Sequence, residues 1–264
     1  MKYDELSTTV SIKTISETAR EGVFEVEGLY SGYGITVGNA LRRVLLSSLP
    51  GAAITQVKIT GANHEFGTIP NVEEDIVEII LNLKRVRFSM HTDEPRALSL
   101  HVKGERAVTA RDIEADADFE VVTPDAPIAT ISAKSGDLAM ELTVERGLGY
   151  VAAESRKAEK LPIGTIALDA IFSPVMSVNF TVENMRIEDR TDYHRIRIAI
   201  VTDGSITPSY ALQRAATILA EHFTKAASLA VAPFTPPQAG AGEEVAGTKA
   251  PKKAKATRSK KKSE

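Results

Sequence analysis

FEVEGLYSGYGITVGNALRRVLLSSL, residues 24–49, decides how this chain is built. It opens as a short alternating strand and turns through Gly32 and Gly34. From near Thr36 its spacing predicts an amphipathic helix. At about 100° per residue, Val37, Ala40, Leu41, Val44, Leu45 and Ser48 share one face, while Asn39, Arg42, Arg43 and Leu46 share the other. A helix that only covers a core carries scattered polar groups on its outer side. Here two adjacent arginines bracket a leucine, and planar Arg forks beside apolar anchors are enriched where proteins meet. A solvated basic face is the competing reading, because exposed arginines are ordinary.

A nucleotide loop is the other reading of the glycines. Gly32, Gly34 and Gly38 sit between a strand and a helix, as in a dinucleotide fingerprint. The next strand, Ala53 to Ile59, ends without the acid that would hold a ribose. The glycines are therefore assigned to the turn and to close packing, and no cofactor is expected.

Composition narrows the function classes. With 264 residues and 43% hydrophobic content, the chain has material for one or two globular domains with sizeable cores. No apolar run approaches the ~18–20 residues of a membrane helix, and MKYDELSTTV lacks a signal-peptide core, so a cytoplasmic protein is expected. The absence of cysteine excludes disulfides, thiol catalysis and thiolate zinc sites. The five histidines, at 64, 91, 101, 194 and 222, form no HxxxH or HExxH pair. Neither GxxxxGK[ST] nor GxSxG nor a DxDxDG-like loop occurs. No catalytic residue and no metal ligand is assigned.

Working outward, residues 8–29 predict two strands, and Pro50-Gly51 stops the first helix. Between 52 and 171 strands are expected at 52–60, 84–91, 97–103, 118–123, 127–133 and 137–145, with one helix over Val72–Leu83. The acids Glu73, Glu74 and Asp75 read as a solvated, dipole-complementing start to that helix, since three consecutive side chains cannot share one face. Arg146–Lys160 reads as an exposed loop. Strands near 175–187 and 194–201 and a turn at Asp203-Gly204 lead to a helix capped by Thr207 with Pro208 at its first position. That helix lines Leu212, Ala215, Ala216, Leu219, Phe223, Ala226 and Ala230 along one face, with Ala211, Ile218, His222 and Leu229 widening it. An apolar arc so wide needs a second surface, and a second copy of the chain is the simplest one.

Beyond Pro233–Pro237 the sequence is rich in Ala, Gly and Lys and is expected to be a disordered tail over 233–264. Residues 248–264 hold eight of the 32 Lys and Arg but one of the 35 acids, which leaves a tail near +7 on a body near −10. An acidic body is not expected to bind DNA itself, although the tail could attract nucleic acid weakly and in a salt-dependent way.

GYGITVGNALRRVLLSS (32–48) closely resembles the N-terminal region of the bacterial RNA polymerase alpha subunit family. So do HEFGTIPNVEEDIVEIILNLK (64–84), RGLGYVAAESR (146–156), PIGTIALDAIFSPV (162–175), VENMRIEDRTDYHRI (182–196) and QRAATILAEHF (213–223). The resemblance implies an α+β fold in two domains: a discontinuous α/β dimerisation domain (1–49 and 172–232) and an inserted, mostly β domain (50–171). It implies a homodimeric scaffold that nucleates assembly of the beta and beta prime subunits of a nucleotidyltransferase, without an active site of its own. By motif position it assigns Arg43, with Arg42 and Leu46, to beta, and Lys84 and Leu168 to beta prime. Val37, Leu41, Val44, Leu45, Leu212, Leu219 and Phe223 are assigned to dimerisation. The family continues into a C-terminal helical domain that binds upstream promoter DNA, where this sequence has its Lys-rich stretch, so direct promoter reading is not expected. A standalone dimeric adaptor serving another complex is the alternative class.

Overall fold

A computed structural model describes residues 10–62, 64–114, 119–156, 162, 164–187 and 190–229. The assigned tail, 233–264, lies outside them. The chain begins with strands β1 (Ser11–Glu17) and β2 (Glu21–Leu29), followed by helix α1 (Tyr33–Ser47) and strand β3 (Pro50–Ile59). Helix α2 (Ile76–Leu83) precedes β4 (Phe88–Met90), β5 (Arg96–Lys103), β6 (Arg106–Thr109), β7 (Ile113–Glu114) and β8 (Phe119–Val121). Then come β9 (Pro127–Ile131), β10 (Asp137–Leu148), β11 (Tyr150–Val151), β12 (Thr165–Ala167) and β13 (Ala170–Ile171). The long hairpin β14 (Val175–Ile187) and β15 (Arg190–Thr202) leads into helix α3 (Pro208–Ala227).

These elements make two principal sheets. A four-stranded antiparallel sheet runs β1-β2-β15-β14, joining both ends of the described chain. A seven-stranded sheet runs β7-β5-β10-β3-β4-β8, with β12 paired to β3. Each has its own core. Phe24, Val26, Leu41, Leu45, Leu49, Val178, Ile196, Ile198, Ala211 and Ala215 fill the first, between the four-stranded sheet and helices α1 and α3. The second draws on residues 52–168, where α2 contributes Ile76, Ile79 and Leu83. The body through Ala227 is one compact unit.

Several local outcomes differ from the sequence reading, each for a physical reason. Helix α2 starts at Ile76 rather than Val72 because Asp75 is extended and its carboxylate accepts the Glu78 N–H at 2.7 Å, making it the N-cap. Val72 instead bridges Ile131. Nor is Glu74 a solvated dipole partner: its two oxygens accept the Thr130 N–H at 2.6 Å and the Thr130 hydroxyl at 3.0 Å, tying this segment to β9. Arg146–Val151 is not loop, since Arg146 pairs with Ala52, Leu148 with Pro50 and Tyr150 with Ile171. Two glycines in this stretch hide the strand pattern. Gly149 takes a φ of 61°, and a Cβ at Gly147 would stand 2.8 Å from the Phe172 ring.

The glycines of the first helix set how closely it lies on the hairpin. A Cβ at Gly34 would come within 2.7 Å of Val182 Cγ1, and one at Gly38 within 2.6 Å of the Phe180 ring. They serve close packing, as expected. Gly38→Ala is expected to destabilise the fold by about 1–2 kcal/mol, because the clash outweighs the ~1 kcal/mol of helix propensity that alanine adds. Chemical denaturation of the two proteins measures this; an unchanged or raised midpoint would contradict the close approach.

Candidate assembly surfaces

Helix α1 starts without a side-chain cap. Gly32 adopts the left-handed conformation at φ 86°, and the Tyr33 N–H reaches the Tyr30 carbonyl at 3.0 Å. The hairpin end holds this start in place. The Arg190 guanidinium lies 5.2 Å from the Tyr30 ring centre and 5.1 Å from that of Tyr193, and Asp192 accepts from it at 3.0 and 2.8 Å. The Asp192 interaction raises the Arg190 pKa, and Arg190 holds the Asp192 carboxyl below its ordinary range.

With the glycine face pressed on the hairpin, the opposite face of α1 points outward. Leu41 and Leu45 are buried in the first core, and Val37 and Val44 are half-buried beside them. Arg42 and Arg43 are exposed, and neither guanidinium makes a hydrogen bond or ion pair among the described residues. Leu46 is half-buried against the core, next to them. Sequence reasoning missed Ile35, which is 57% exposed and completes an i, i+4, i+7, i+11 line with Asn39, Arg42 and Leu46. The same periodicity that picked out the arginines would have found it.

Helix α3 divides along its length. Its first half is anchored by Ala211, Leu212 and Ala215 in the first core, with Ile218 and Leu219 half-buried. From Ala220 to Ala227 every residue is exposed, and Phe223 is 67% exposed. Leu41, Leu45 and Leu212 are thus used within the chain's own core. Val37, Val44, Leu219 and Phe223 retain surface.

Lys84 and Leu168, distant in sequence, meet in one place. Lys84 Nζ donates to Asp169 at 2.9 Å, and the other Asp169 oxygen accepts the Ala153 N–H at 2.9 Å. Leu168 itself is 1% exposed, a core residue that fixes its neighbour Asp169. Around the pair lies a cleft of about 300 Å³, bordered by Phe66, Val77 and Leu81, of which Phe66 is 80% and Leu81 51% exposed. Sequence reasoning missed both; Leu81 falls off the buried side of α2, which was the available signal.

No group of three or more His, Asp or Glu among the described residues is placed to hold a metal ion. No helix among them is long and apolar enough to cross a membrane.

An α+β protein with two cores, an outward arginine ridge and an apolar cleft presents its chemistry on surfaces. Comparison with known proteins gives the family. Residues 57–173 match the RNA polymerase Rpb3/RpoA insert domain. Over 208 residues the chain is 51% identical to a DNA-directed RNA polymerase subunit alpha of Symbiobacterium thermophilum, covering 79% of this chain and 66% of that protein. For the subunit alpha of Moorella thermoacetica the identity is 53% over 201 residues, covering 76% and 64%. For that of Alkaliphilus oremlandii it is 50% over 213 residues, covering 81% and 67%. The chain belongs to the family of DNA-directed RNA polymerase alpha subunits. It spans about two-thirds of the length of these relatives.

The cleft makes a pH-dependent expectation. The Ala153 N–H, and after it Lys84, hold the Asp169 carboxyl below its ordinary value. A depressed folded-state pKa contributes stability that is present above the unfolded value of about 3.9 and is lost as pH falls through the folded value. Carboxyl NMR is expected to place the Asp169 midpoint below about 3.9 and to move it upward in Lys84→Ala. A midpoint indifferent to Lys84 would contradict the pairing.

Proposed function

We propose that this chain is the homodimeric assembly scaffold of a DNA-dependent RNA polymerase and has no active site of its own. Residues 1–49 and 172–232 form the dimerisation domain in this reading, and 50–171 form the inserted domain. Its partners are a second copy of itself and the beta and beta prime subunits, in the cytoplasm. The observation that carries the reading is an exposed arginine pair without an intramolecular counter-ion, on a chain about half identical to alpha subunits.

Arg42, Arg43 and Leu46 meet the beta subunit. Arg43 donates bidentately to an acidic or carbonyl-rich surface, with Leu46 one turn along as an apolar neighbour and Ile35 on the adjoining line through Arg42. The Lys84–Asp169 cleft meets beta prime, with Phe66 and Leu81 as the exposed apolar groups. Lys84 is already neutralised by Asp169, so this surface selects by shape and apolar contact, whereas the ridge on α1 selects by charge. Two surfaces of such different chemistry allow two identical copies to hold two different partners. The exposed second half of α3, with Phe223, buries against the other copy together with the half-buried Leu219, Val37 and Val44. The Lys-rich tail adds weak attraction to nucleic acid.

Arg43→Ala is expected to leave the dimer intact while weakening recovery of the beta subunit by about 2 kcal/mol or more, the cost of emptying a buried hot spot. Co-purification with mass analysis of the dimer reads both; undiminished recovery of beta would overturn the assignment. Phe223→Glu places a charge where the second copy would bury an aromatic ring and is expected to yield monomers by light scattering. A variant that stays dimeric would remove α3 from the interface.

A further inference from the structure

Between α3 and strands β3, β4 and β10 of the large sheet lies a cavity of about 110 Å³. Leu49, Pro50, Ala52, Phe88, Met90 and Ile206 make up the apolar part of its wall. The polar part consists of side-chain donors. Ser89 comes from β4, Arg146 from β10, and Tyr210 and Arg214 from successive turns of α3. The side chains of Ser89, Tyr210 and Arg214 make no hydrogen bond or ion pair among the described residues. Arg146 gives one N–H to Asp93 at 2.7 Å, and a guanidinium carries five.

Among the described residues, no acid lines the cavity. Ser205 also borders it, but its hydroxyl is already donated to Asp203 at 2.6 Å, and that carboxylate lies 4.0 Å from Arg87. Two guanidinium groups and two hydroxyls from three elements therefore border one space, and no acid among the described residues stands in its wall. The space is too small for a nucleotide, which needs a pocket of about 300 Å³ or more, yet it exceeds the ~30 Å³ share of one water several-fold. Arginine forks and hydroxyls approaching from several sides match a tetrahedral oxyanion.

We propose that this cavity binds a small tetrahedral oxyanion of the size and charge of inorganic phosphate, held by Arg146, Arg214, Tyr210 and Ser89. The bound anion joins α3, which belongs to the first core, to strands β4 and β10 of the second, and so stabilises their mutual arrangement. This site is independent of the surfaces assigned to partner subunits.

The test is calorimetric titration of the full-length chain, in its native oligomeric state, with inorganic phosphate at constant ionic strength maintained with chloride. Thermal unfolding is followed in the same buffers. Saturable binding and a raised unfolding midpoint are expected for the wild type. Arg214→Gln and Arg146→Gln are expected to weaken binding roughly tenfold or more, while Arg111→Gln, which removes an exposed arginine elsewhere, leaves it unchanged. Because the titration is read first on the wild type, a variant that folds poorly does not decide the outcome. Absence of saturable phosphate binding to the wild type, or equal weakening in all three variants, overturns the proposal. Undiminished binding to Arg214→Gln overturns it as well.

Discussion

The close contact between helix α1 and the β14–β15 hairpin governs the rest of the structure. A helix can lie this near a sheet only where side chains are missing from its inner face, and Gly34 and Gly38 supply that absence against Val182 and the Phe180 ring. Once the inner face is fixed, the helix has no rotational freedom left. Leu41 and Leu45 must enter the core, and Arg42 and Arg43 must leave it. The arginine ridge is thus a consequence of packing on the opposite side of the same helix. The Arg190 clasp on Tyr30 and Tyr193 fixes the start of the helix in a place where no side-chain cap does so.

The same sheet brings distant parts of the sequence together. Strand β2 pairs with β15, so that residues near the start and near the end of the described chain share one core, while residues 52–168 fold around another. At the seam, Phe172 packs against the backbone at Gly147, and a Cβ on Gly51 would run into its carbonyl. Charge follows the architecture. On the outer side of β2, Glu25 accepts from Arg197 at 2.6 Å, and Glu27 meets both Lys13 and Arg195. Glu25 and Glu27 are thereby paired, and the α1 arginines have no such partner among the described residues.

Much of this was legible from residue order. Two periodicities, 3.6 in residues 36–48 and 2 in residues 21–29, gave α1 and β2, and Thr207-Pro208 gave the start of α3, where the Tyr210 N–H reaches the Thr207 hydroxyl at 3.3 Å. The arginine face was readable for the same reason: helical geometry alone separates Arg42 from Leu41. Other features were hidden because they depend on long-range contact. Nothing local tells Glu74 to bind Thr130, and nothing in the sequence brings Lys84 to Asp169 across 85 positions. Short strands such as β6 and β12 carry too few residues to show a period. Glycines masked the end of β10, since the positions that let Phe172 approach are the ones that read as loop.

In the proposed scaffold this chain works through faces its own fold leaves uncovered, and the exposed second half of α3 is the face most open to measurement. Amide hydrogen exchange across Ala220–Ala227, followed as the chain is diluted alongside sedimentation analysis, tests it directly. A dimer whose amides in these turns are protected, and lose that protection as the dimer dissociates, is the expected result. A monomer at all concentrations, with these amides exchanging freely throughout, would contradict it.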